Sequence, residues 1–347
     1  MNRRSISIDD IAHVAGVSNS TVSRALRDSS LISAEVRAHI QRLAQEMGYT
    51  PNGIAQSLQT RRTNTIGLVV TSIADPYFGD VMKGVEEVAR PANLSVFLSA
   101  GHNDPDQETA VIETFHRRRV DGVLVASSRI SDHSLQQLAR VQVPIVLVNS
   151  NAEGQLDFLH SVAVDDYLGA RLAVEHLLGL GHRAIGYLGA GNRPGSNRRR
   201  FEGYRDMLLA AGVPHNDAWV VIAPVEDALH EDDVAAGQAL VHPLLAAGVT
   251  AVFCYNDMIA IGVLMACREQ GIAVPHGLSI VGFDGIESAR YVTPPLTTIH
   301  QPRVELGRVG MQMLLDLLEQ RPVQNHILAP TLVPRGSTSV NKRRHPK

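Results

Sequence analysis

Aromatic residues make up only 4% of this 347-residue chain, with a single tryptophan, and cysteine occurs just twice, at Cys254 and Cys267. Two cysteines cannot staple a chain of this length, and neither has histidine or cysteine company at metal-ligand spacing. A disulfide framework and a cysteine metal site are therefore excluded. Both cysteines read as small core residues in a reducing cytoplasm. No run approaches 18 uninterrupted apolar residues, and MNRRSISIDD has no apolar stretch behind its arginines. A membrane span and an export signal are not expected. Net charge is scarce as well: 32 basic against 35 acidic residues leave −3, a balance that by itself argues against a polyanionic partner. Aliphatic residues are what the chain has in quantity. With 44% of residues apolar, it can bury the cores of two or three domains.

The average charge hides three unlike pieces. Residues 1–62 hold eight Lys and Arg against five acids, or +3, and residues 335–347 hold five basic residues and no acid. The 272 residues between them carry 19 basic and 30 acidic residues, or −11. The amino-terminal piece is thus the locally basic folded one.

Its pattern predicts three short helices. Ser7 is placed to cap a helix over Ile8 to Ala15, with Asp9 and Asp10 in the first turn, where the helix dipole favours acids. Gly16 suits the left-handed residue that ends it. Ser18 caps a second helix running to about Leu26, with Val22 and Ala25 inward. The third follows Ser33, carries Val36, Ile40, Leu43 and Met47 on one face, and ends at Gly48.

Small Ala12, turn-forming Gly16 and apolar Val22 fit the helix-turn-helix pattern. The longer string AGVSNSTVSRAL, followed by SAEVRAHIQRLAQEMGYTPN, resembles the headpiece of the LacI/GalR family of bacterial transcription regulators. That resemblance implies a second helix seated in the major groove. Asn19, Ser20 and Arg24 are then the base-reading candidates, Arg24 through a bidentate contact to guanine. Ser7, Ser18, Thr21, Ser23, Ser33 and Tyr49 are the phosphate-contact candidates. The following TPNGIAQSLQT resembles the family's hinge helix, which forms on DNA and pairs with its dimer mate. Asn52 and Ala55 fall on it, and Leu58 matches the leucine that wedges into the minor groove. Gly53 inside that helix costs about 0.5 to 1 kcal/mol against alanine, which favours an unfolded hinge off DNA.

From Thr65 onward, short apolar runs alternate with longer amphipathic segments. The runs are TIGLVVTS, NLSVFLSA, DGVLVASS and VPIVLVNS, then RAIGYLGA, WVVIAP, TAVFCYN and LSIVGFD. Two groups of about four predict two α/β lobes built on parallel sheets with helices on both faces. Ligands bind beyond the carboxyl ends of such strands, and those ends are polar here. The resemblance extends through this region and implies a two-lobed fold like that of periplasmic binding proteins. On residue matching, Arg200 and Asp284 are the effector-holding pair, joined by Asn149, Ser196, Asn256 and Gln301. Ser72, Asp75 and Phe78 in SIADPYF close the far side. A mutual ion pair of Arg200 with Asp284 is the alternative use of those two charges.

The resulting organisation is a headpiece over 1–48, a hinge over 49–63, an effector and dimerisation domain over 64–340, and a basic tail over 341–347. Within the large domain, the first lobe is expected at about 64–163 plus 300–325, and the second at 164–299 plus 326–340. The family implies a repressor that binds an approximately palindromic operator as a homodimer and answers to a small polar effector. A sugar is expected, and a nucleobase or nucleoside co-repressor is the alternative. The tail NKRRHPK lacks the leucine heptads of a tetramerising helix. A dinucleotide-binding enzyme is the rival reading, because Gly189 and Gly191 follow a predicted strand. The third glycine, Gly195, comes one place too late for GxGxxG, and no catalytic set completes it. A periplasmic solute-binding protein would explain the lobes but has no use for a headpiece. No catalytic residue, metal or cofactor is expected.

Overall fold

A computed structural model describes residues 6–49, 62–101, 104–126, 143–150, 159–224 and 232–342. The chain divides into two compact units, Met1–Thr63 and Asn64–Lys347. The hinge candidates Asn52, Ala55 and Leu58, and tail residues 343–347, lie outside the described residues.

In the first unit, α1 (Ile8–Ala15), α2 (Asn19–Ala25) and α3 (Ala34–Glu46) share one small core. Ser7 opens α1 with a reciprocal capping box. Its hydroxyl accepts from the Asp10 amide at 3.3 Å, and the Asp10 carboxylate accepts from the Ser7 amide at 2.8 Å. Gly16 closes the helix at φ 66°, in the left-handed region that a Cβ disfavours. Ser18 and Ser33 cap the next two helices. Ile11, Ala12, Val22, Ala25, Ile40 and Ala44 form the buried centre. Val36, expected to face inward, is exposed. The stripe of α3 that meets the core runs through Ile40, Leu43, Ala44 and Met47; Val36 lies on the same stripe one turn earlier, in the first turn of the helix, and is not part of the core.

The second unit holds two six-stranded sheets. In the first, β1 (Thr65–Val70), β2 (Ser95–Ala100), β3 (Gly122–Ala126), β4 (Ile145–Val148), β5 (His160–Val164) and β11 (His326–Leu328) are parallel in the order β2-β1-β3-β4-β5-β11. The second repeats the scheme with β6 (Ile185–Ala190), β7 (Val220–Ala223), β8 (Ala251–Cys254), β9 (Ser279–Asp284), β10 (Thr297–His300) and β12 (Thr331–Val333), ordered β7-β6-β8-β9-β10-β12. Helices α4 (Tyr77–Ala89), α5 (Pro105–Arg117) and α10 (Arg303–Leu318) cover the first sheet; α6 (Asp166–Gly179), α7 (Pro194–Ala210), α8 (Asp233–Ala246) and α9 (Asp257–Glu269) cover the second. Alternate residues of one strand feed opposite cores. Ile66, Leu68 and Val70 pack on the α4 and α10 side, whereas Val69 packs with Ile112 and Phe115 of α5.

Several boundaries differ from the sequence-based expectation. Each sheet has six strands rather than about four, because β5, β10, β11 and β12 are three to five residues long and lack a continuous apolar run. The last crossing back to the second lobe comes after Leu328, not before residue 326, since β11 pairs with β5 in the first sheet. The final strand, β12, is antiparallel to β10 and forms an edge. The chain therefore passes between lobes three times, after β5, after β10 and after β11. No helix among the described residues is long and apolar enough to cross a membrane.

Helices α4 and α10 cross with almost no side chain between them. A Cβ on Gly84 would lie 1.9 Å from the Val304 carbonyl oxygen, and one on Gly307 would lie 2.0 Å from that of Val81. Gly84→Ala must push the two backbones apart and should lower unfolding stability by about 1 to 3 kcal/mol. Urea unfolding of the purified variant checks this, and an unchanged midpoint contradicts the crossing.

Candidate functional site

The carboxyl ends of the strands in both lobes converge on one network. On the first-lobe side, the Ser72 hydroxyl accepts from the Ala74 amide at 3.2 Å, and Asp75 Oδ1 accepts from the Tyr77 amide at 2.9 Å, which sets the turn into α4. The Tyr77 ring is buried, with half-buried Phe78 edge-on at 5.3 Å, and its hydroxyl donates to Gln301 Oε1 at 3.0 Å. Gln301 Nε2 in turn donates to Asp284 Oδ1 at 2.6 Å. One amide thus ties a first-lobe tyrosine to a second-lobe carboxylate.

Arg200 sits on α7 one turn after Ser196 and is only 2% exposed. A guanidinium can be buried so deeply only if its charge is met. Its Nε donates to Asp166 Oδ1 at 2.8 Å, its Nη1 donates to the Tyr255 carbonyl at 2.5 Å, and Asp284 Oδ1 stands 3.9 Å from Nη1. Its plane lies over the rings of Phe283 at 3.6 Å and Tyr255 at 4.3 Å. The Tyr255 hydroxyl shares a 2.6 Å hydrogen bond with Ser196. Asp166 is therefore the closer partner, and the ion pair with Asp284 is a long one.

Asp284 ends β9 at φ 109°, a strained conformation for a residue with a Cβ. Its carbonyl accepts from Arg303 Nη1, and the Gly285 carbonyl accepts from Arg303 Nη2 at 3.0 Å; Nη2 also pairs with Asp80 of α4 at 2.6 Å. The backbone and the carboxylate of Asp284 are thus both held from the first-lobe side. Burial pushes the Asp284 carboxyl well above the usual carboxylate range, with Arg200 opposing. Burial also raises Asp75, against the Tyr77 amide and Arg193. Asn256 caps α9, its Oδ1 accepting from the Ile259 amide at 2.8 Å, while Nδ2 donates to Asp233 at 2.6 Å. Asn149 ends β4 at φ 59°, outside this network.

Several members of the network escape the sequence reading. Asp166 follows β5, whose HSVAV lacks the apolar run that marks the other strands, so its strand-end position is hidden. Arg193, Asp233 and Arg303 are ordinary polar residues until the fold pairs them.

In the first unit, Ser18, Asn19, Ser20 and Arg24 are exposed at and along α2. The Ser18 hydroxyl bonds to Ser20 at 2.8 Å and Thr21 at 2.9 Å, and the Asn19 amide donates to Asp9. Arg27 occupies the hydroxyl and carbonyl of Ser23 at 2.6 and 3.1 Å. Ser7 and Ser33 spend their hydroxyls on helix caps, and Tyr49 rests half-buried against the core.

Residues 7–52 match the model for bacterial regulatory proteins of the lacI family, and residues 174–338 match that for a periplasmic binding protein-like domain. The regulator GalR of Escherichia coli is 34% identical over 336 residues, covering 96% of this chain and 95% of its own. The chain belongs to the LacI family. The ribose operon repressor of Haemophilus influenzae, another member, is also 34% identical, over 94% of this chain and 97% of its own. Among solved structures, the Lac repressor dimer bound to operator and an anti-inducer superimposes with a TM-score of 0.85 at 27% identity, covering 97% of this chain and 100% of that one. The fold is that of a LacI-type regulator, a helix-turn-helix headpiece followed by a two-lobed domain.

One buried acid of this LacI-family chain supports the Asp284 turn from behind. Asp257 is wholly buried, and its carboxylate accepts from the Thr298 hydroxyl at 2.5 Å and the Ile286 amide at 2.8 Å. Burial raises its pKa to about 7, with these donors and the Arg303 charge opposing. The folded pKa exceeds the unfolded value, so this group's contribution to stability is complete below about pH 4 and is lost as pH rises through 7. Between pH 5 and 7 the wild type should lose stability more steeply than Asp257→Asn, by up to about 1.4 kcal/mol per pH unit. Urea unfolding across that range reads the difference, and parallel curves would count against it.

Proposed function

We propose that this chain is a ligand-responsive transcriptional repressor, acting in the bacterial cytoplasm as a homodimer on an approximately palindromic operator. Residues 1–48 serve as the headpiece, 49–63 as the hinge and 64–340 as the effector and dimerisation domain. The observation that carries the reading is one chain holding both an exposed reading helix and, at the strand ends of a two-lobed domain, Arg200 buried against Asp166 beside Asp284. Arg24, Asn19 and Ser20 read bases. Ser7, Ser18, Thr21, Ser23, Ser33 and Tyr49 set the register on phosphates, and Leu58 wedges the minor groove. The −11 segment repels DNA and confines contact to the headpiece.

The effector occupies the space between lobes, and we assign Ser72, Asp75, Phe78, Asn149, Ser196, Arg200, Asn256, Asp284 and Gln301 to its surroundings. Hydrogen-bond bookkeeping favours a donor-rich, polyhydroxylated molecule. Gln301 and Asn256 each have both ends engaged, while Asp75, Asp166, Asp233 and Asp284 bring several carboxylates together. A nucleobase would need flat apolar walls, and the faces of Tyr255 and Phe283 already carry the Arg200 guanidinium. The ribose operon repressor, named for a sugar, agrees with a sugar effector. Binding shifts the lobes about the three crossings and so changes the separation of the two hinge helices. By linkage, an effector that weakens operator binding must itself bind the operator complex more weakly.

The operator is found by selecting from random duplexes with the full-length protein. The selected site should be an approximate palindrome. Arg24→Ala should weaken it by about 1 to 3 kcal/mol and relax specificity at one base pair per half-site. A single half-site that binds as tightly as the whole would overturn the dimeric reading.

The large domain also exposes the apolar side chains a dimer needs. Phe97 and Leu98 stand out from edge strand β2, and Met265 and Tyr291, the latter 71% exposed, stand out from the second lobe. Charges introduced together as Phe97→Asp and Tyr291→Asp should yield monomers in sedimentation velocity, with operator affinity reduced at least about tenfold. A dimer that persists would place the interface elsewhere.

A further inference from the structure

Beside Arg200 lies a second charged pair. Arg193, in the turn before α7, contacts Asp233 at the start of α8 at 3.0 Å, and their side chains are only 12% and 15% exposed. The pair is continuous with the effector site on two sides. Asn256 donates to the other oxygen of Asp233 at 2.6 Å. The Tyr255 ring lies under both guanidiniums, Arg193 at 5.5 Å and Arg200 at 4.3 Å. From the first lobe, Asp75 stands within electrostatic reach of both Arg193 and Asp233.

The signs of these charges matter more than their number. Each of the three buried guanidiniums already has a carboxylate: Arg193 has Asp233, Arg200 has Asp166 with Asp284 further off, and Arg303 has Asp80. Asp75 is left over on the acidic side. With Asp257 behind the Asp284 turn, the carboxyl groups named among the described residues of the joint outnumber these guanidiniums six to three. Among the described residues, an anion entering between the lobes would find none of these three guanidiniums without a carboxylate. It would have to displace a carboxylate from an arginine or lie beside Asp75 and Asp233, at a cost that rises as water is excluded. A neutral polyol meets no such cost, because carboxylates are good acceptors for its hydroxyls.

We propose that Arg193 and Asp233, with Asp75 facing them, belong to the effector site and make it selective for an uncharged polyhydroxylated ligand over phosphorylated or carboxylate-bearing ones. This rests on the effector site assigned above and adds the class of molecule it accepts. Discrimination of this kind works by repulsion as much as by attraction.

The test is a thermal-shift and calorimetric panel on the full-length protein. Its neutral members are D-galactose, D-glucose, D-ribose, myo-inositol and hypoxanthine. Its anionic members are D-galactose 6-phosphate, D-glucose 6-phosphate, D-ribose 5-phosphate, D-galacturonate and D-glucuronate. The expected result is stabilisation by an uncharged sugar or polyol, with its phosphate or uronate binding at least about 100-fold more weakly. Asp75→Asn combined with Asp233→Asn should narrow that ratio by at least about tenfold. An anionic member that matches or exceeds its parent overturns the charge selection and leaves the effector site standing. A response to hypoxanthine alone overturns the polyol class. No response to any member counts against the effector reading itself. If the double variant folds, as shown by its unfolding midpoint, and keeps the wild-type ratio, Arg193 and Asp233 are not the selecting groups.

Discussion

Burying an arginine in a protein interior is costly unless its charge and its donors are all met. Arg200 is the point at which this chain accepts that cost, and much of the joint between the lobes is arranged around it. Asp166 must leave β5 at the right place to reach Nε, the Tyr255 carbonyl must end β8 beside Nη1, and two aromatic rings must flatten against the guanidinium plane. On the proposed effector reading, a closely partnered cation next to strained Asp284 would serve as a preorganised receptor, in which the ordering cost is met by folding rather than by the ligand.

The same region joins the lobes mechanically. Tyr77 and Asp80 on α4 reach Asp284 through Gln301 and Arg303, the residues on either side of Pro302 at the second crossing. Asp257 fixes the far side of the turn through Thr298 and Ile286. A ligand that moves the Asp284 carboxylate therefore acts on α4 through hydrogen bonds rather than through soft packing. Such a connection suits a regulator, because interfaces with discrete polar contacts tend to switch between arrangements rather than deform continuously.

The headpiece was the most legible part of the sequence. Its helices are local objects, set by Ser7, Ser18 and Ser33 as caps and Gly16 as a stop, and these signals act within four residues. The long buried strands were equally plain as apolar runs. Strand β5 was not, because a five-residue segment beginning His-Ser carries too little apolar periodicity to stand out, and Asp166 vanished with it. The place of β11 was misjudged for a related reason. A three-residue strand says nothing in sequence about which sheet will take it, and only its pairing with β5 put it in the first lobe.

Taken alone, the sequence determined the order of domains, the reading helix, the doubly buried sheets and the identity of Arg200, Asp284, Asn256 and Gln301 as residues at strand ends or beside them. Tertiary structure alone decided how those residues are partnered. It gave Arg200 to Asp166, joined Asn256 to Asp233, and placed Arg193 over Tyr255. Caps and strand periodicity are short-range consequences of backbone geometry, so they can be read from neighbouring residues. The pairing of buried charges depends on which distant segments the crossings bring within about 4 Å. The near-neutral, aromatic-poor composition concealed both a basic reader and a joint crowded with carboxylates.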